Sequence, residues 1–251
     1  MNNNVDIKRV QDVLLRTGKC TAEILERHDI PYMLIFGTLL GAVRHKGFIP
    51  WDDDFDLMLF DDSYEQAVNF LRQELPDDLF LEDEKSEPLY FHAWAHVKDL
   101  KSKAVCMQFP QDSLYSHCGI SIDLYRTKRI QKYRLSDYLN DENFAYIQRR
   151  KKKGLITDED FSRRMAALEQ SREASARERS GDMHEVFALL TAKCGFLEPE
   201  EIFPLRRFRF EDTEFWGPAN PEVILSKFYG DFMRLPPVEE RLSHYSSVEF
   251  F

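Results

Sequence analysis

Four aspartates, Asp52, Asp53, Asp54 and Asp56, fall within five consecutive positions just as the chain enters the apolar stretch from Phe55 to Phe60. A solvated turn can carry such charge. Here, however, Ile49, Trp51, Phe55, Leu57, Met58 and Leu59 put the cluster beside a core, where uncompensated carboxylates are costly and a cation is the simplest remedy. Residues two apart on a strand share a face. Asp54 and Asp56 can therefore hold one hard divalent ion, Mg²⁺ or Mn²⁺, through oxygen ligands; Asp52 has the same parity and Asp53 the other.

The flanking pattern sets this strand in a frame. Val10, Val13, Leu14, Ile24 and Leu25 recur at helical spacing and predict an amphipathic opening helix that ends near Asp29 and Pro31. Tyr32 to Phe36 is a compact apolar run that fits a buried strand delivering Gly37 to a turn, and Phe55 to Phe60 is a second strand. Ser63 and Gln66 have capping-box spacing ahead of a helix that Pro76 stops. Alternation from Leu89 to Val97 predicts a strand with His92, Trp94 and His96 on one face, and Ile120 to Leu124 predicts another. The stretch from Tyr133 to Cys194 is rich in Arg, Lys, Glu and Ala without proline and reads as helices. After Pro199, an extended segment at Phe203 to Phe210 and a short helix at Pro221 to Phe228 are expected.

Several side chains can serve the acidic strand. Gly37 permits close backbone approach, and Thr38 offers a hydroxyl to a phosphate oxygen. Arg44, His45 and Lys46 either neutralise a diphosphate or form a basic surface turn. Asp123, inside an apolar strand, is the candidate for a third metal-binding carboxylate. Trp94 can stack on a base or cup an ammonium group, against the simpler reading of strand packing.

Size and charge remove other classes. With 251 residues and 43% hydrophobic content the chain can build one large core. It has no apolar run of membrane-spanning length and no secretory leader, so a cytoplasmic protein with at most peripheral membrane contact is expected. Cys20, Cys106, Cys118 and Cys194 have neither metal nor disulfide spacing. A net charge of -10 argues against broad nucleic-acid binding, and the basic run Arg149 to Lys153 reads as a solvated helix end.

The segment Phe36 to Leu59, FGTLLGAVRHKGFIPWDDDFDLML, closely resembles the signature of the LicD family, which includes bacterial phosphocholine transferases and fukutin-related proteins. Phe210-Glu211 and the stretch from Phe228 to Met233, followed by Leu235-Pro236-Pro237, resemble the family's C-terminal segment. The resemblance implies an α+β, nucleotidyltransferase-like fold with a mixed β-sheet, flanking helices and a helical insert. We expect a core over 1–132, the insert over 133–196 and a C-terminal segment over 197–251. It further implies transfer of a phospho-alcohol group from a CDP-linked donor such as CDP-choline to a glycan or lipid-linked sugar, with release of CMP. The family's strand carboxylates fall on Asp54 and Asp56, its glycine-turn motif on Gly37 and Thr38, and its later acidic residue on Asp123. In that scheme Asp54, Asp56 and Asp123 hold the metal, Asp53 or Asp123 takes the acceptor's proton, and Arg44, His45 and Lys98 face donor phosphates. Two alternatives share the pattern: a nucleotidyltransferase that consumes a nucleoside triphosphate, and a silent binding module in glycan assembly.

Overall fold

A computed structural model describes residues 5–177, 181–189 and 195–251; Asn2, Asn3, Asn4 and Cys194 lie outside them. The chain opens with α1 (Ile7–Arg27), capped by the Asp6 carboxylate, which accepts from the Arg9 N–H at 3.1 Å. Next come β1 (Tyr32–Leu34), α2 (Phe36–Arg44), β2 (Asp56–Phe60), α3 (Asp61–Glu74), β3 (Leu79–Glu82), β4 (Ala95–Asp99), β5 (Ser102–Cys106) and β6 (Ser121–Gln131). Two long helices, α4 (Leu135–Lys152) and α5 (Asp158–Arg177), precede β7 (Glu185–Leu189), β8 (Phe196–Leu197), the one-turn α6 (Pro199–Ile202), β9 (Arg206–Phe210), β10 (Thr213–Gly217), α7 (Pro221–Tyr229) and β11 (Tyr245–Phe250).

This is the expected α+β architecture. Its mixed sheet runs β1-β2-β6-β4-β3, with β7 paired to the far half of β6 and β8 to β7. Among the described residues, only β2 and β6 are parallel neighbours in this sheet; its other pairings are antiparallel. Every residue of β2 is buried, as befits a central strand covered on both faces. α1 presents Val10, Leu14, Ile24 and Leu25 to this core, as their spacing predicted. Phe55 sits at its heart, its ring against those of Phe48, Phe210 and Phe215, so β9 and β10 close the core near the acidic loop.

Some local expectations are corrected. Gly37 does not end a strand in a turn: the chain turns one residue earlier, Phe36 takes a left-handed φ of 47°, and Gly37 to Arg44 continue as α2. Asp61 and Asp62 are the first turn of α3, where their charge suits the helix dipole, and no side chain caps that helix. Ser63 instead donates to the Phe60 carbonyl. The strand expected from Leu89 begins only at Ala95, because the preceding residues loop out around Tyr90 and Phe91. Tyr133 to Arg177 is helical as expected, but Glu185 to Leu189 is a strand, since Val186, Phe187 and Leu189 bury themselves along β6. Cys20, Cys106 and Cys118 are free thiols. No helix among the described residues is long and apolar enough to cross a membrane.

Candidate active site

The acidic loop is held from three sides. From α1, the buried Gln11 amide donates to the carbonyls of Ile49 (3.1 Å) and Asp52 (2.9 Å). From α2, the buried Thr38 hydroxyl accepts the Asp56 N–H at 2.8 Å, so it fastens the start of β2, and Thr38 does not line the large cavity. From the C-terminus, Ser243 to Tyr245 close on Asp53, which is wholly buried. Asp53 accepts from the backbone N–H groups of His244 (2.9 Å) and Tyr245 (3.1 Å), from His244 Nδ1 (2.8 Å) and from the Ser243 hydroxyl. Burial alone would raise the Asp53 carboxyl, but the His244 and Ser243 hydrogen bonds outweigh it and hold it below the usual carboxylate range. The same bond to Asp53 pushes the His244 imidazole up to about 9.

With Asp53 turned to this task, Asp52, Asp54 and Asp56 line a cavity of about 820 Å³. Its walls are aromatic, from Phe36, Trp51, Trp94, Phe109, Tyr125 and Tyr229, and Arg44, Arg234 and His244 bring positive charge. Gly37 leaves room for the carboxylate: a Cβ there would lie 2.9 Å from Asp52 Oδ2 and would push that side chain aside. Burial first, and then the neighbouring Asp54 charge, push the Asp52 carboxyl well above its ordinary range. Ligand atoms of Asp52, Asp54 and His244 all come within 4.8 Å of one another, but His244 is held towards its charged form by Asp53, so the carboxylates of Asp52 and Asp54 are the members of this group suited to a divalent cation.

Asp123 stands beside Asp56 in the parallel register of β6 and β2. It opens on a smaller space of about 100 Å³, which shares Asp54, Gln108, Phe109, Tyr125 and His244 with the large cavity. Burial first, and then the charge of Asp54, push its carboxyl up to about 7, against the hydrogen bond it accepts from the Tyr125 hydroxyl at 3.0 Å. Sheet register continues the polar row: Asp123 opposes His96 on β4, and His96 opposes Glu82 on β3. His96 Nε2 lies 3.3 Å from Asp123 and its Nδ1 3.4 Å from Glu82. Burial pushes this imidazole well below its ordinary range.

The other anticipated residues are placed as follows. Arg44 lines the cavity, but its Nη1 donates to the Phe232 carbonyl at 2.6 Å and its Nε to His45 Nε2 at 2.9 Å, which straps the C-terminal segment to α2. His45 does not line the cavity, and burial with the Arg44 charge lowers its imidazole. Lys98 is buried, 2.9 Å from Glu82 and 2.9 Å from the His117 carbonyl, and it borders only the smaller space. Trp94 packs on Tyr125, with ring centroids 4.8 Å apart, in the wall of the large cavity. Sequence reading missed His244 and Arg234. A sequence separation of 191 between Asp53 and His244 leaves no local signal for their contact.

A mixed sheet whose parallel neighbours β2 and β6 set Asp56 beside Asp123, with Asp52, Asp54 and Asp56 lining a roomy cleft, fits a nucleotidyltransferase-like α+β fold. Residues 29–113 match the family described as LicD/FKTN/FKRP, nucleotidyltransferase domain, and the chain carries a domain of that LicD family. It is 25% identical over 248 residues to the lipopolysaccharide cholinephosphotransferase LicD of Haemophilus influenzae, covering 88% of this chain and 89% of that protein. An uncharacterised protein of Rickettsia prowazekii is 29% identical over 152 residues, 53% of each chain. The human ribitol 5-phosphate transferase FKRP is 43% identical over 47 residues, which cover 19% of this chain and 10% of that protein.

Proposed function

We propose that this protein is a metal-dependent transferase that moves a phospho-alcohol group from a CDP-linked donor to a hydroxyl of a glycan or glycolipid precursor, releasing CMP. The observation that carries the reading is the placement of Asp54 and Asp56 in a large aromatic cavity with Asp123 in register beside them, on a chain similar along most of its length to a cholinephosphotransferase. Asp54 and Asp56 would hold the cation, with Asp52 and Asp123 alongside. When bound, a divalent ion there neutralises charge on the donor's diphosphate and on departing CMP.

The chain's own residues do the rest by orientation and charge. Arg44 and Arg234 face the diphosphate. Trp51, Trp94 and Tyr229 offer faces for stacking on a base or enclosing an alkylammonium group. The acceptor hydroxyl attacks the phosphorus that bears the alcohol, in line with the departing CMP oxygen, and its proton passes to a carboxylate. Of the two candidates, Asp123 would take that proton, because the oxygens of Asp53 are taken up by the C-terminal segment.

The test is to incubate the purified protein and its Asp56→Asn variant with Mg²⁺, a glycan acceptor and a panel of CDP-alcohols and nucleoside triphosphates. CMP release from one CDP-alcohol, lost in the variant, is expected. Pyrophosphate release from a triphosphate would replace this reading with that of a nucleotidyltransferase.

A further inference from the structure

Large apolar side chains left in water gather at the mouth of the reacting cavity. Of the eleven that the described residues expose, six stand in two short segments: Met107 and Leu114 on either side of Phe109, and Met233, Leu235, Val238 and Leu242 along the strap between α7 and β11. The same two segments supply Phe109, Leu235 and Pro237 to the cavity wall, and Leu235 and Pro237, both exposed, mark the edge of its opening. The Met107 N–H donates to the His244 carbonyl at 2.8 Å, which sets the segments side by side. Single exposed apolar side chains are ordinary; six around one opening form a surface that marks an interaction site.

Position and charge select what covers this rim. A second copy of the chain, docked rim on rim, would set two mouths face to face and shut both. A lipid surface covers the rim and at the same time presents a lipid-linked acceptor to the opening. Within the strap Glu239 and Glu240 are balanced by Arg234 and Arg241, so this stretch is neutral on a chain with a net charge of -10. Next to it, Phe109 packs against the buried cluster of Tyr90, Phe91 and Tyr115, which Tyr146 of α4 also joins, and the Arg150 guanidinium lies 5.0 Å from the centre of the Phe91 ring. The basic run Arg149 to Lys153 at the end of α4 thus flanks the rim; Lys151 pairs with Asp158, and Lys152 is exposed. Apolar tips with cations beside them suit an anionic bilayer, whose acyl boundary takes the first and whose phosphates take the second.

We propose that the rim formed by residues 107–114 and 233–242 docks on an anionic bilayer surface and so brings the cavity mouth to a lipid-linked acceptor. The acceptor clause rests on the transferase reading above; lipid docking does not. The test is flotation of the protein with vesicles of phosphatidylcholine alone and with vesicles of equal parts phosphatidylcholine and phosphatidylglycerol. Wild type should float with the mixed vesicles and more weakly with the neutral ones. Leu114, Val238 and Leu242 line neither the large cavity nor the smaller space beside Asp123, so a Leu114→Ser/Val238→Ser/Leu242→Ser variant should keep the wild-type Tm while its partitioning falls about tenfold or more. Lys152→Gln should bind the mixed vesicles about fivefold more weakly, the loss expected for one cation at a charged surface. Absence of wild-type flotation, equal flotation of wild type and the triple variant, or full affinity in Lys152→Gln would each overturn the proposal. A lipid-free dimer in light scattering that the triple variant abolishes would also overturn it and give the rim to a second copy. Vesicle binding by a protein that releases no CMP from any CDP-alcohol would uphold the docking surface and refute the transferase reading; CMP release with a soluble glycan by a protein that binds no vesicle would do the reverse.

Discussion

Replacing Asp53 with asparagine should separate structure from chemistry within one acidic motif. The carboxylate serves donors on both oxygens: His244 N–H and Nδ1 on one, Tyr245 N–H and the Ser243 hydroxyl on the other. An amide keeps one acceptor. Ser243 can turn to accept from the new NH₂, but the Tyr245 N–H then faces a donor, and the His244 imidazole loses its charge partner. With hydrogen bonds to charged groups each contributing about 1.5–3 kcal/mol, the net loss should be about 2–4 kcal/mol. For a domain of this size that is a fall in Tm of roughly 5–15 °C. Differential scanning calorimetry reads the shift, and hydrogen exchange should show lost protection across β11, which pairs with β5 immediately after the clasp. Asp54→Asn is the internal contrast. It removes a charge that crowds Asp52, so its Tm should hold or rise while metal binding is lost. An Asp53→Asn protein with unchanged Tm and unchanged β11 protection would refute the assignment of Asp53 to anchoring.

Further outcomes follow from the same geometry. Gly37→Ala puts a methyl group 2.9 Å from Asp52 Oδ2, so turnover should fall about tenfold or more through displaced carboxylates, with Tm within a few degrees of wild type. Mg²⁺ at about a hundred times its Kd should stabilise wild type by about 2.7 kcal/mol in thermal melts, an effect absent in Asp54→Asn; equal stabilisation of both proteins would remove Asp54 from the metal site. Glu26 supplies a pH test remote from the cavity. Burial would raise it, but hydrogen bonds from Arg207 and Tyr32 outweigh that and depress its carboxyl. Its contribution is therefore complete above the ordinary glutamate value of 4.5 and is lost as pH falls through the lower folded value. Acid unfolding of Glu26→Gln should be correspondingly less steep than that of wild type.

What the sequence carried well was periodic or dense. The apolar face of α1, the buried β2 and the helix α7, with Pro221 in its first turn and Gly230 at its end, each repeat a pattern within a short window. The aspartate cluster likewise announced the cavity, because four carboxylates against Phe55 and Leu57 have few stable settings. Less legible were choices made by tertiary contact. Phe36 adopts its left-handed φ and lets α2 begin where a strand was expected to continue. β7 gains the edge of β6, a partner 50 and more positions away, over its helical surroundings. The division of labour among the aspartates was also hidden: parity separated Asp53 from Asp52, Asp54 and Asp56, but nothing local said that the C-terminal strap would consume it. Lys98 looked like a free cation until Glu82, brought across from β3, neutralised it.

The central claim, transfer of a phospho-alcohol by the Asp54–Asp56 cleft, is tested most directly by the mass of the product. After incubation of wild-type protein with Mg²⁺, a CDP-alcohol and a defined glycan acceptor, mass spectrometry should show the acceptor heavier by one phospho-alcohol group, and Asp56→Asn should leave it unchanged. An acceptor that gains a nucleotidyl group instead, or that gains the phospho-alcohol equally in the variant, would contradict the account.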